Sequence, residues 1–270
     1  MAINDITLAG GMRSNLATLQ QVAMLQARTT ERLATGKRVN SSVDDPSAYF
    51  AAQNHLNRAN DLSARKDQMG EAIQTVKAAL QGIDGITALI EQAKGLAASA
   101  RQATGTDRAS LASQFDALRA QIDQLAGDSG YKGTNFLQSN SLTVDFNESG
   151  SSSLTISGFD ASTTGLAIAA AANAWAADGD IDAAVQDLDG ALSTLRANAK
   201  TLASNNGVVT TRQDFTLNLI NTLSTGADTL TAADTNEEGA NMLALQTRQQ
   251  LGIVALQLSS QAQQSIMRLF

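Results

Sequence analysis

A 3-4 spacing runs from Ala48 to Ile90 through Ala52, His55, Ala59, Leu62, Lys66, Met69, Ile73, Val76, Leu80, Ile83 and Thr87. A heptad seam sustained this long demands a long helix whose stripe is covered by another helix. A second seam runs through Ile181, Val185, Leu188, Leu192, Leu195, Ala199, Leu202, Asn206, Val209, Gln213, Thr216, Ile220, Leu223, Ala227 and Leu230. The first helix is expected to reach about Ala103, near the break at Thr104–Asp107. Its length is then about 55 residues, a rod of roughly 80 Å. A shorter helix follows, with Leu111, Phe115, Leu118, Ile122 and Leu125 on one face, expected to end at Gly127 and Gly130. Two rods of matching length joined by a shorter helix imply a mainly α fold, a long antiparallel bundle or coiled coil.

Tyr131–Ile168 departs from this pattern. Leu142–Phe146 and Leu154–Phe159 alternate apolar and polar residues around the turn-rich stretch NESGSSS, which reads as one β-hairpin within about 139–168. A lone hairpin is marginal in water, so it must pack on the bundle.

The two ends carry a different signal. Ile3, Ile6, Leu8, Met12, Leu16 and Leu19 near the start, and Met242, Leu245, Leu256, Ile266, Leu269 and Phe270 near the end, belong to arms with apolar residues on more than one face. One partner helix cannot cover two faces. These twelve residues are therefore the expected subunit interface, and the terminal helices are expected to pair as a coiled coil that self-associates. The organisation that follows is an N-terminal arm (1–34), a joint (35–47), a helical rod (48–232) and a C-terminal arm (233–270).

The joint, TGKRVNSSVDDPSAYF, holds the only proline of the 270-residue chain. Lys37 and Arg38 precede it and Asp44 and Asp45 adjoin it, so paired carboxylates or a phosphate cradle must be weighed. Asp45-Pro46-Ser47 fits an N-cap followed by proline in the first helical position. Asp44 is expected near the same positive helix end, and Lys37 and Arg38 at the end of the first arm. TGK lacks the spacing of a P-loop and no strand precedes it. Glu237 and Glu238 read as acidic residues complementing a helix N-terminus. His55 is a lone seam histidine without an orienting partner, and so reads as a packing residue.

Composition removes other classes. There are no cysteines and one histidine, which excludes disulfides, thiolate chemistry and multi-histidine metal sites. The net charge of −7 argues against nucleic-acid binding. No catalytic residues, cofactor or metal are expected, nor an enzyme. No secretory signal or membrane-spanning stretch is evident, so composition alone points to the cytosol.

Two stretches carry a family resemblance. ERLATGKRVNSSVDDPSAYFAAQNHLNRANDLS resembles the N-terminal signature of bacterial flagellins, especially the short alphaproteobacterial ones. TAADTNEEGANMLALQTRQQLGIVALQLSSQAQQSIMRLF resembles their C-terminal signature, and GYKGTNFLQ the segment closing their short helix. The resemblance implies a subunit that polymerises into the flagellar filament, with its arms forming an inner tube and no inserted outer domains. It also implies export through the flagellar type III apparatus to an extracellular filament, which overturns the cytosolic reading. Implied partners are other copies of the chain, an export chaperone on Ala240–Phe270, cap and hook-junction proteins, and sister flagellins. At the family's receptor-recognition stretch this chain has EQAKGL, where Gln92 and Gly95 replace the charged residues that Toll-like receptor 5 reads. The alternatives are a hook–filament junction protein, whose N-terminal motif is similar, and a cytoplasmic signalling rod, which the hairpin and the charge-poor ends disfavour.

Overall fold

The computed structural model describes residues 10–267. Its elements are α1 (Gly10–Thr35), α2 (Pro46–Gln102), α3 (Thr106–Asp128), β1 (Ser141–Asp145), β2 (Ser153–Ser157), α4 (Asp178–Thr231) and α5 (Thr235–Met267). A short 3-10 turn, Ala172–Trp175, precedes α4. Two compact units result. Among the described residues, one takes in 10–57 and 222–267; the other is Arg58–Asn221.

In the second unit, α2 and α4 run antiparallel. Lys94 Nζ reaches Asp189 Oδ1 at 2.8 Å, Arg101 pairs with Asp182, and Gln213 Nε2 donates to the Lys66 carbonyl at 3.2 Å. Both expected seams lie inward: Leu62, Met69, Val76, Ile83 and Ile90 are buried on α2, and Ile181, Leu188, Leu195, Leu202 and Val209 on α4. α2 also buries a second row, Ala72, Thr75, Ala79, Ile86, Ala93, Ala97 and Ala100. A seam describes one partner, whereas α2 is covered on two sides. Glycine makes the second approach possible: a Cβ at Gly85 would lie 2.8 Å from Leu125 Cδ2, on α3.

α3 does not end by glycine capping. Gly127 lies inside the helix, and neither the C-cap Ser129, at φ −80, nor Gly130 after it has a left-handed backbone. Asn135 closes the helix instead, its Nδ2 donating to the carbonyls of Ala126 at 2.7 Å and Gly127 at 2.9 Å. Once a side-chain amide takes up these orphan carbonyls, no left-handed residue is needed.

The hairpin pairs antiparallel from Ser141↔Ser157 to Asp145↔Ser153. Val144 and Ile156 point into the core, while Thr143 and Thr155 share a hydrogen bond of 3.0 Å on the exposed face. Alternation thus seats the hairpin on the bundle. Trp175 is fully buried against Phe115, ring centroids 5.0 Å apart, in a turn where Asn173, Ala174 and Trp175 all have positive φ.

Candidate functional site

The first unit holds the joint and both arms. Pro46 is the first residue of α2, and Asp45 Oδ1 accepts from the Ala48 N–H at 3.0 Å. The Asp45 carbonyl accepts from Tyr49 N at 2.9 Å. A carboxylate therefore satisfies an orphan donor of the first turn, and proline presents no N–H to waste.

Asp44 does something else. Its Oδ2 accepts from Asn40 N (3.1 Å), Ser41 N (3.0 Å) and Ser41 Oγ (3.1 Å), closing a tight loop over 40–44. Those donors, the Ser41 amide first and then that of Asn40, hold its carboxyl below the usual aspartate value of 3.8. Arg28 adds a weaker attraction, 3.7 Å away. The side chain is thus folded back onto the loop, leaving the helix terminus to Asp45.

Residues 36–39 form backbone pairs with the last residue of α4 and the chain just after it. Arg38 N donates to Thr231 O at 2.7 Å, and Ala233 N to Gly36 O at 2.9 Å, flanking the bridge Lys37↔Ala232. Gly36 sits at φ +67, the left-handed conformation that lets the chain leave α1 and turn into this pairing. Arg38 reaches Asp45 at 3.7 Å and donates to Leu230 O at 3.4 Å. The cation therefore serves the C-terminal end of α4, where negative carbonyls collect, and not that of its own arm.

Beyond this crossing, α5 is capped by Asp234, whose Oδ1 accepts from Asn236 N (2.9 Å) and Glu237 N (3.2 Å). Glu237 occupies the first turn in the exposed position expected for dipole complementarity. Glu238 is different: it is buried and accepts from Arg32 Nη1 at 2.7 Å, 206 positions away in sequence. α1 and α5 therefore run antiparallel, and further along Leu19 lies against Gly252, where a Cβ would be 2.6 Å from Leu19 Cδ2.

Of the twelve predicted interface residues, Leu245 is buried, Met12, Leu19, Met242 and Leu256 are half-buried, and Leu16 is exposed. Ile3, Ile6, Leu8, Leu269 and Phe270, together with the Ile266 side chain, lie outside the described residues. Between the arms a groove of about 310 Å³ remains, lined in part by Leu19, Val22, Leu25 and Leu251. Large apolar side chains are also exposed: Met24 and Leu25 on α1, and Leu243, Leu251, Ile253, Val254 and Leu258 on α5. His55 is half-buried with Gly226 opposite, and Gln92 and Gly95 are exposed on α2. Among the described residues no group of three acidic, histidine or cysteine side chains could hold a metal ion, and no helix is long and apolar enough to cross a membrane.

Two paired arms, a backbone crossing and open apolar helix faces suit a surface for protein association, and the comparisons with known proteins agree. Residues 3–141 match the family model of the bacterial flagellin N-terminal helical region. The whole chain is 30% identical to flagellins FljM and FljK of Caulobacter vibrioides, with 100% of both sequences covered in each case. It is 28% identical to a flagellin of Brucella melitensis over 94% of this chain and 95% of that one. Matched along its full length, the chain belongs to the bacterial flagellins, the structural subunits that polymerise into the filament of the flagellum.

Proposed function

We propose that the outward apolar faces of α1 and α5 are where copies of this flagellin bind one another. Residues 35–47 then act as the joint between arm and rod. The observation that carries this reading is a second seam on α5. Leu243, Thr247, Leu251, Val254 and Leu258 follow the 3-4 spacing, and the four apolar members are 67%, 64%, 49% and 62% exposed. α1 covers the other side of α5, where Leu245 is 8% exposed. A helix with two apolar stripes needs two partners, and a single chain supplies one.

In this reading polymerisation buries the second stripe, at roughly 25 cal/mol per Å² of apolar surface. The groove between the arms is the space into which neighbouring side chains settle. Before assembly the same stripe is open to an export chaperone. Its cover in the extracellular filament is the arms of adjacent copies, or of cap and junction proteins at the filament ends.

The test is seeded polymerisation. V254Q/L258Q leaves the α1-facing Leu245 and the groove-lining Leu251 untouched and makes the outer stripe polar. Short filament seeds given this variant should not elongate in electron micrographs, while circular dichroism shows the rod's melting unchanged. Elongation at the wild-type rate removes the stripe from the interface.

A further inference from the structure

We propose that the outer edge of β1, in the rod and independent of the arms, docks one extended peptide segment of another protein, which joins the hairpin as a third strand. Gly158 N donates to Asn140 O and Phe146 N to Ser152 O, both at 2.8 Å, which fixes the phase of the ladder. Counting in twos along the antiparallel register, Leu142 and Val144 exchange their backbone bonds with Ile156 and Leu154. Thr143 and Asp145 therefore turn their N–H and C=O groups away from β2. Among the described residues no third strand pairs with that edge.

The edge opens into a groove of about 450 Å³ bounded by β1, α2 and the turn at 131–134. Residues 142–145 line it consecutively. Side chains of one sheet face alternate, so a consecutive run means that the groove meets the backbone edge. α2 forms the facing wall over residues 65–75. That stretch is about 15 Å of helix, the span of about four or five residues of strand. An unpaired edge of this kind recognises extended backbone directly. The side chains narrow the choice of occupant. Ala72 and Val144 are buried and Leu142 half-buried, a floor for an apolar side chain. Charges on the walls cancel: Arg65 pairs with Asp145 at 3.7 Å, and Lys132 with Glu71 at 2.8 Å. A neutral segment therefore fits better than a charged one. The long, part-exposed Arg65–Asp145 pair is worth little and gives way readily. With α2 facing it, the edge admits a single strand more easily than the two-stranded hairpin of a second copy.

The probe is an acetylated, amidated Thr-Val-Thr-Val-Thr peptide, neutral and alternating, added to the full-length unpolymerised subunit. Amide hydrogen exchange read by NMR should slow at least tenfold at Thr143 and Asp145. It should not change at Leu142 and Val144, whose amides already bond β2. The same peptide with every amide N-methylated keeps its side chains, loses its donors and should have no effect. T143P removes an outward N–H from an edge strand and spares the ladder to β2, so it should weaken peptide binding tenfold or more. If T143P instead loses protection at Leu142 and Val144, the hairpin has opened, and the methylated peptide on wild type decides. Equal slowing by the methylated peptide, uniform slowing over residues 142–145, or none in millimolar peptide overturns the proposal. Thr143 and Asp145 amides that are already slow without peptide, and become fast on dilution, assign the edge to a second copy and overturn it as well.

Discussion

Arg32 Nη1 donates to Glu238 Oε1 at 2.7 Å, with the two side chains only 20% and 9% exposed. This pair ties α1 to the first turn of α5 beside the crossing at Gly36–Val39. Removing one partner strands a shielded charge. Arg32→Ala should therefore destabilise the arm pair by about 2 kcal/mol. The double variant R32A/E238Q should recover most of that loss, because a neutral amide is far cheaper to leave unpaired. Hydrogen exchange of α1 amides in the four members of the cycle measures the coupling; independent, additive losses contradict it.

The two roles of Asp45 can be separated. Asp45→Ala removes the N-cap of α2 and should cost about 1 kcal/mol. Asp45→Asn keeps an oxygen for the Ala48 amide and loses only the 3.7 Å attraction to Arg38, which is half-exposed and worth little. Thermal melts should rank wild type and Asn close together and Ala clearly below them. An Asn variant as unstable as Ala would assign the joint's stability to charge pairing instead.

This contrast shows where local sequence was sufficient. Asp45-Pro46-Ser47 is a cap whose partner lies three residues away, so spacing alone exposes it. The seams of α2 and α4 were legible for the same reason: each residue's burial repeats with the helix period. Arg32–Glu238 joins residues 206 positions apart, and nothing in either neighbourhood names the other. The pairing of residues 36–39 with Thr231–Ala233 uses backbone groups, which every residue carries, and so has no side-chain signature. Asn135 capping α3 and the left-handed turn at Trp175 are likewise set by tertiary packing that overrides local preference. Of the site itself, the arms' excess of apolar faces could be read from the chain. The crossing that holds them could not.

Acid should open the 40–44 loop before it unfolds the rod. The Asp44 pKa is lowered by the Ser41 and Asn40 amides, so this carboxylate binds protons less readily in the folded protein than in the unfolded one. Its contribution is complete above the ordinary value of 3.8 and disappears as pH falls below that value through the depressed one. NMR titration of the Asn40 and Ser41 amides should show a transition below 3.8 in wild type. In Asp44→Asn that transition should vanish. An Asn40 or Ser41 shift centred at or above the ordinary value in wild type contradicts the loop's closure by this carboxylate.

Two glycines should respond oppositely to the same methyl group. A Cβ at Gly158 would lie 2.3 Å from Phe136 O and 2.5 Å from Asn140 O, both backbone atoms that also accept the hydrogen bonds seating the hairpin. Backbone cannot swing aside as a side-chain tip can, so Gly158→Ala must shift β2 relative to residues 136–140. The loss should be about 3 kcal/mol or more. Gly207, inside α4, has nothing within 4 Å of a Cβ and no left-handed backbone. There alanine only restricts the unfolded chain and favours helix, so Gly207→Ala should gain about 0.5–1 kcal/mol. Urea melts of the two variants should move in opposite directions from wild type. Because Trp175 is the only tryptophan and is buried in the same unit, its fluorescence reports both transitions directly. A Gly158→Ala melt that overlays wild type would show that the hairpin is not seated by the Phe136 and Asn140 carbonyls.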